Sequence, residues 1–538
     1  MSVNGPSEML ERVEGISLDL FGADFLLDPH HILDQLRFDS PVHYDPATGL
    51  WLVSRYSDVL AVLADDETFR PDNVLTAVTS LSFDSLRVLA SGRFSLPPSL
   101  ANNGTETHPG LRRLVSSFFN GRALAERVPL IERVTDKCLA DLELELDRAG
   151  SVDLAQAVAR RIPIRVVLDV VGIGDLDVEQ LDRWTAAALE LFWGRPDRQR
   201  QPALAQDAVD FHACLAQHVR AAARSRGAGA DSAGGETGVE ATFMAALRAH
   251  RAPSGRPLTE DEIVAVYYFI LIAGQVTTSQ LLVALLRRLL RDRAAWRAVS
   301  GDEGAAEAWI EEVLRLDPPL TTWRRVTSRP THLSGVRLPA GAQLLLMLAG
   351  TGRDPEVFPD PHQVCPGRGN SRRHLAFGAG RHRCLGAEFS RVESRIVLSR
   401  LAARMPDLQL LPGDPVTGPP LLTFRPQQHV IVARTAPDSG ETAASGQPVF
   451  DLEENRKGSA LSQDVDADIT RCVVEVLQVD QEDVVPEARL NADLGANSLM
   501  IVELLMAIEE ICHIKVTEEQ MAEIRTVSDL VSLAQQVR

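Results

Sequence analysis

Cysteine is scarce in this chain, with six residues in 538. None forms a CxxC pair or a zinc-like spacing, which argues against a disulfide framework and against a structural metal site. Cys138, Cys214, Cys365, Cys472 and Cys512 are expected to be inert packing residues. The opening Met1-Ser2-Val3-Asn4-Gly5-Pro6 has no basic region leading into an apolar stretch, so neither a signal peptide nor a membrane anchor is expected. Long apolar runs are missing too. The longest, about Ile263 to Gly274, is too short to span a bilayer and reads as a buried core helix. The expectation is a soluble, cytoplasmic protein with no membrane partner. Positive charge is in deficit, 55 Lys and Arg against 74 Asp and Glu for a net charge of -19, which argues against nucleic acid as a partner.

The length points to one large domain and something else. The acidic excess is partly local: from Asp464 onward there are sixteen acidic residues and five basic ones, so the tail reads as a separate object. The stretch Phe377-Gly378-Ala379-Gly380-Arg381-His382-Arg383-Cys384-Leu385-Gly386 is a glycine-punctuated loop that delivers one cysteine to the start of a helix beginning near Ala387. Free N–H groups and the positive helix end there favour thiolate over thiol, and a thiolate can ligate iron. The glycines permit close approach of a flat macrocycle, while Arg381 and His382 offer donors to its carboxylates.

That ten-residue pattern resembles the haem-ligand loop of the cytochromes P450, in which the cysteine thiolate is the axial ligand of haem b. The resemblance covers about Asp24 to Val432 and implies a mainly α fold, a helical body with small β-sheets. The early text reads as helix, strand, turn, strand and helix up to about Phe69; residues 71 to 107 read as a long loop containing short helices, over the substrate pocket by resemblance. His108 and Arg112, four apart on a helix with proline in its first turn, share a face from which both could reach one haem propionate. The resemblance adds Arg325 and His382 to the haem seat.

Thr259 and Glu262 form a capping box that opens a helix running to about Arg291. Its middle, Ala273-Gly274-Gln275-Val276-Thr277-Thr278, resembles the oxygen-binding segment of the family. Small Ala273 and Gly274 would let it approach the iron, and Thr277 would offer its hydroxyl to dioxygen or to an ordered water. Thr277 could instead bond to the carbonyl one turn back. Val276 stands where the family usually has an acid, so the proton must come from water, substrate or another residue. Glu312 and Arg315 make an E-x-x-R pattern, by itself a weak signal for a surface ion pair. With Arg368 they resemble the family's buried triad, and Cys365 replaces its usual phenylalanine.

Residues 1–433 are thus assigned to the haem domain and 434–463, polar and rich in small residues, to a linker. Residues 464–538 form a second small fold. There Asp493-Leu494-Gly495-Ala496-Asn497-Ser498-Leu499 leads into an amphipathic helix whose other face is acidic. The tail resembles an acyl carrier protein, a family that attaches 4'-phosphopantetheine at the serine corresponding to Ser498, although Asn497 replaces the more common aspartate. The acidic helix favours the acyl type over the peptidyl type.

Together the resemblances imply a monooxygenase acting on an acyl or aminoacyl thioester, by hydroxylation or by desaturation or epoxidation. The partners they imply are a phosphopantetheinyl transferase, polyketide, fatty-acid or non-ribosomal peptide assembly-line enzymes, and a ferredoxin with its reductase. A fused redox domain is not expected: the tail has only Cys472 and Cys512 and no flavin-type phosphate loop. The alternative is a carrier and docking module whose haem domain is a peroxygenase, isomerase or dehydratase.

Overall fold

The computed structural model describes residues 18–434 apart from 175, 228–238 and 413–415, and residues 465–536 apart from 478 and 513. The glycine-rich segment after Gly227 and nearly all of the linker lie outside the described residues. Two compact units are formed. One takes residues up to 79, 95–196 and 211–435, and the other takes 80–94, 197–210 and 436–538.

In chain order the principal helices are α1 (Phe83–Ser91), α2 (His108–Ser116), α3 (Gly121–Ala149), α4 (Arg161–Val171), α5 (Glu260–Leu289), α6 (Glu303–Leu316) and α7 (Ala387–Arg404), followed in the acidic tail by α8 (Val465–Leu477), α9 (Ser498–Cys512), α10 (Glu518–Glu523) and α11 (Val527–Gln536). Helix α5 is the axis of the first unit. Its capping box is present as read from the sequence: Glu262 N–H donates to Thr259 Oγ1 at 3.2 Å and Thr259 N–H to Glu262 Oε2 at 2.8 Å. The apolar stretch proves longer than the run read from sequence, and by length and composition α5 is the one helix among the described residues that could cross a membrane. It is instead packed on several sides, with Leu281, Leu282, Leu285, Leu286 and Leu289 in one core with residues of α3, α4, α6 and α7. A helix that is apolar all round suits such a position.

The sequence predicts one helix from Leu154 to Val171. The structure begins it with a π-helical turn, Ala155–Arg160, before α4 continues as α-helix. Beside the helical body lies a five-stranded sheet of β1 (Val42–Asp45), β2 (Leu50–Val53), β3 (Phe69–Arg70), β4 (Trp323–Thr327) and β5 (Gln343–Leu346), in the order β1-β2-β5-β4-β3. Parallel pairing of β2 with β5 and antiparallel pairing of β4 with β5 hold Arg325 opposite Leu344, near the centre of the sheet.

In the second unit, Ile469, Val473, Leu504, Leu505, Ile508, Leu530 and Leu533 bring α8, α9 and α11 around one apolar core. Cys472 and Cys512 pack against it. Cys138 is likewise buried, its thiol donating to Ala157 O at 2.9 Å. Cys365 departs from expectation: its side chain is exposed, so it is not a packing residue, and its contribution is made through the backbone described below.

Candidate active site and carrier serine

The cysteine loop is closed by its own backbone. Cys384 N–H donates to Phe377 O at 2.8 Å and Gly378 N–H to Leu375 O at 2.8 Å. Gly380 is required, since its φ is +67° and a Cβ there would lie 2.3 Å from Leu63 O. The loop ends at Gly386, which caps α7. Cys384 lies deep in the molecule, yet its sulfur opens on an apolar cavity and is accessible from it. Burial pushes the thiol up, against the Gly386 N–H and the charges of Arg383, Arg112 and Arg391. A ligated cation would act with the helix end and these charges in favour of the thiolate.

Arg112, Arg325 and His382 line one part of this cavity. The rings of His108 and His382 stack with centroids 4.1 Å apart. Arg381 Nε donates to His108 Nδ1 at 3.2 Å, and Arg325 Nη1 to Arg324 O at 2.8 Å. Arg381 pairs with Asp66 at 3.0 Å. His108 Nε2, His382 Nε2 and Arg325 Nε are buried with no hydrogen-bond partner. Burial, then the neighbouring arginines, takes His108 down to about 4; burial, then His108 and Arg325, takes His382 to about 3; burial takes Arg325 to about 10. Arg325 Nε–H and His108 Nε2–H are unspent donors that suit a group bringing carboxylates, and His382, whose Nδ1–H donates to Leu100 O at 3.2 Å, joins them once its Nε2 is protonated; with Cys384 they fit haem. Arg112, on the same face as His108, also gives one N–H to Arg383 O, so it braces the cysteine loop directly.

Ala273, Gly274, Thr277 and Thr278 of α5 line the same cavity as Cys384. Thr277 Oγ1 donates to Ala273 O at 2.6 Å, one turn back, which leaves its lone pairs facing outward as acceptors. Gly274 also has a packing reason to be small: a Cβ there would lie 2.7 Å from Val167 Cγ2, so the glycine lets α4 pack on α5. Gln275 is turned away, bonded to Thr185 and Asp182. With Val276 in place of an acid, the cavity lining still holds one buried carboxyl that sequence reasoning passed over. Glu393, on α7 nine positions beyond Cys384, lines the cavity, is 3% exposed, and has no partner for Oε1. Burial pushes its carboxyl up to about 8, so it is a neutral acid at pH 7. Ser390, one turn before it, shares a 3.2 Å hydrogen bond with Thr278.

Glu312 and Arg315 are both fully buried and paired twice, at 2.7 and 2.9 Å. Arg368 Nε approaches Glu312 at 3.7 Å while its Nη atoms hold the carbonyls of Pro359, Asp360 and Gln363. Cys365 adds its backbone N–H to Glu312 at 2.8 Å, a bond indifferent to its side chain. Glu311 next door was also missed. It accepts from Arg391 at 2.5 Å and from His374 at 3.2 Å, tying α6 to α7 and to the segment before the cysteine loop. Burial opposes its charge, but His374 and Arg391 prevail and bring it to about 2.

In the second unit Ser498 is exposed at the first position of α9. Asn497 Oδ1 accepts from the N–H groups of Leu499 and Met500 at 2.9 and 3.0 Å. Asn497 therefore caps the helix, and the Ser498 hydroxyl is left without that duty.

The family model for cytochrome P450 matches residues 305–405, and that for the phosphopantetheine attachment site matches 467–534. The erythromycin C-12 hydroxylase of Saccharopolyspora erythraea is 31% identical over 374 residues, 69% of this chain and 86% of that protein. The cyclomarin C epoxidase CymV of Salinispora arenicola is 29% identical over 402 residues, 72% of this chain and 91% of its own. Among solved structures, the CYP116B5 heme domain of Acinetobacter radioresistens superposes with a TM-score of 0.72 at 25% identity, covering 80% of this chain and 99% of that one. Full-length CYP116B46 of Tepidiphilus thermophilus gives 0.71 at 27% identity over 78% of this chain, which spans only 53% of its length. A cysteine loop that lies within the matched cytochrome P450 region and fits haem, together with an exposed serine within the matched attachment-site region, leaves one assignment: the chain belongs to the cytochrome P450 family, as a monooxygenase with a phosphopantetheine attachment domain joined to it.

Proposed function

We propose that this monooxygenase oxidises an acyl or aminoacyl group held as a thioester on a phosphopantetheine arm, either its own at Ser498 or that of a carrier protein in a polyketide, fatty-acid or non-ribosomal peptide assembly line. The observation that carries this reading is the union, in one chain, of the Cys384 cavity with an exposed serine relieved of capping by Asn497. Haem, when bound through Cys384, supplies dioxygen activation. His108, Arg112, Arg325 and His382 would receive its carboxylates. Apolar side chains such as Val166, Val170, Phe192 and Ile270 line the cavity and suit an acyl chain while excluding water. Thr277 offers lone pairs as an acceptor, and Glu393 holds a proton at a carboxyl oxygen near Ser390 and Thr278. With Val276 in place of the usual acid, Glu393 is the proton donor of this reading. Electrons come from a separate ferredoxin and its reductase.

The test starts from full-length protein whose Ser498 has been loaded by a phosphopantetheinyl transferase with an acyl-pantetheine, then supplied with ferredoxin, its reductase and NADPH. A gain of one oxygen atom, or a loss of two hydrogens, in the mass of the peptide carrying Ser498 is the expected result. A transferase that leaves Ser498 bare would remove the chain's own arm from the reading, and acyl, polyketide and aminoacyl groups that all survive unchanged, both on Ser498 and on separate carrier proteins, would overturn it. Val276 favours one second reading, a haem domain running peroxygenase, isomerase or dehydratase chemistry; turnover with peroxide and without the reductase would select it.

A further inference from the structure

Helix α9 has two apolar faces. Leu504, Leu505 and Ile508 turn into the core shared with α8 and α11. Leu499, Val502 and Met506 lie on another face and pack with Phe83, Leu86 and Ala90 of α1, a helix of the same compact unit. Val502 is fully buried there. At the end of this strip Arg87 meets Glu509 through two parallel bonds, Nη1 to Oε1 at 2.7 Å and Nη2 to Oε2 at 2.6 Å. The Glu509 side chain is only 10% exposed; burial opposes its charge, but the hydrogen bonds from Arg87 and from Val516 N–H, the latter at 2.7 Å, prevail and hold it below the usual carboxylate range. A second charge pair, Arg198 with Glu518, joins residues 197–210 to α10.

Leu499, Val502, Met506 and Glu509 stand at i, i+3, i+7 and i+10, one continuous helical stripe that starts beside Ser498. Helix α1 is well made to meet it: Ser82 caps it by accepting from Ser85 N–H, and its own stripe Phe83, Leu86, Arg87, Ala90 has the matching helical spacing. An apolar strip closed by a bidentate charge pair is the pattern of helix recognition, in which packing supplies affinity and the pair sets register.

We infer that this α9 face is the carrier's recognition surface and that its partner is a segment of the same chain, α1, with Arg87 as the residue that reads Glu509. Enzymes that load or unload Ser498 by gripping the same stripe must first displace α1, so the carrier is biased toward its own chain. The inference deepens the reading of Ser498 as the arm-bearing serine and rests on it for that consequence, while the packing of α1 on α9 is tested without any arm.

Hydrogen–deuterium exchange on the full haem-loaded chain, unmodified at Ser498, tests it. R87E is expected to speed exchange of the Phe83–Ser91 amides roughly three- to tenfold, and the charge swap R87E/E509R to restore most of the protection. Because E509R also disturbs the Val516 contact, M506E serves as a second probe of the same stripe. It is expected to loosen α1 to a similar degree while amides of Leu504, Leu505 and Ile508 keep theirs. Unchanged α1 exchange in both R87E and M506E, or a swap no better protected than R87E alone, would overturn the inference. Should Ser498 prove unmodifiable while α1 and α9 still protect each other, the arm reading fails and the docking stands.

Discussion

Glu393 illustrates how one buried side chain links chemistry and stability. Its carboxyl has no counter-charge and is raised to about 8 by burial alone. The folded protein therefore binds a proton that the unfolded chain, with an ordinary carboxyl near 4.5, has already lost at neutral pH. Stability from this group must fall as pH rises from about 4.5 through 8, the reverse of a salt-bridged acid. E393Q keeps the shape and removes the titration. Thermal midpoints measured between pH 5 and 9 are expected to decline less steeply with pH in E393Q than in wild type, and product formed per NADPH consumed is expected to drop at least about tenfold, with the difference released as peroxide. Parallel midpoint curves, or unchanged coupling, would remove Glu393 from the proton path. Within the helix after Cys384, Glu393 was not singled out from sequence, because nothing in a local pattern shows that a carboxyl will be buried without a partner.

At the scale of elements, the first unit depends on how α6 is pinned to the segments around the cysteine loop. Glu312 and Arg315 are three apart, a spacing that on most helices gives a pair worth little. Here both are fully buried and Arg315 also donates to the carbonyls of Gly352, Pro361 and Gln363. R315L would strand the Glu312 charge and three carbonyl acceptors, so it is expected to destabilise the protein by about 3–5 kcal/mol. The double variant E312L/R315L should recover a large part of that loss, since it leaves no unpaired charge at either fully buried position. Urea unfolding of the two variants beside wild type measures both terms, and equal losses in the two would mean that packing and not charge sets the cost. The triad was legible because a motif places its members. The Glu311, His374 and Arg391 cluster was not, since its partners are distant in sequence and no motif spacing joins them. Gly274 was legible as a small residue but not as a packing gap, because Val167 reaches it from a different helix.

For the whole molecule, the sequence showed two folds and the serine between Asn497 and Leu499, since composition changes and local motifs are one-dimensional signals. It did not show that α1, embedded in the text of the haem domain, belongs to the same compact unit as the carrier helices. Only tertiary packing could reveal that. Joining an arm to the enzyme that uses it raises the local concentration of substrate to about the millimolar range without a new contact. S498A isolates this effect. The hydroxyl is exposed and does not cap α9, so the variant should unfold within about 0.5 kcal/mol of wild type and keep the same haem spectrum. It can no longer carry substrate, yet the same acyl group presented as a free pantetheine thioester should still be oxidised, approaching the tethered rate only as its concentration nears the millimolar range. A wild-type chain that is no faster at micromolar free substrate after loading than before would show that its arm feeds another enzyme's site. A tethered rate lost in S498A and regained by raising free thioester shows that attachment contributes concentration, and that the Cys384 cavity itself contributes the recognition.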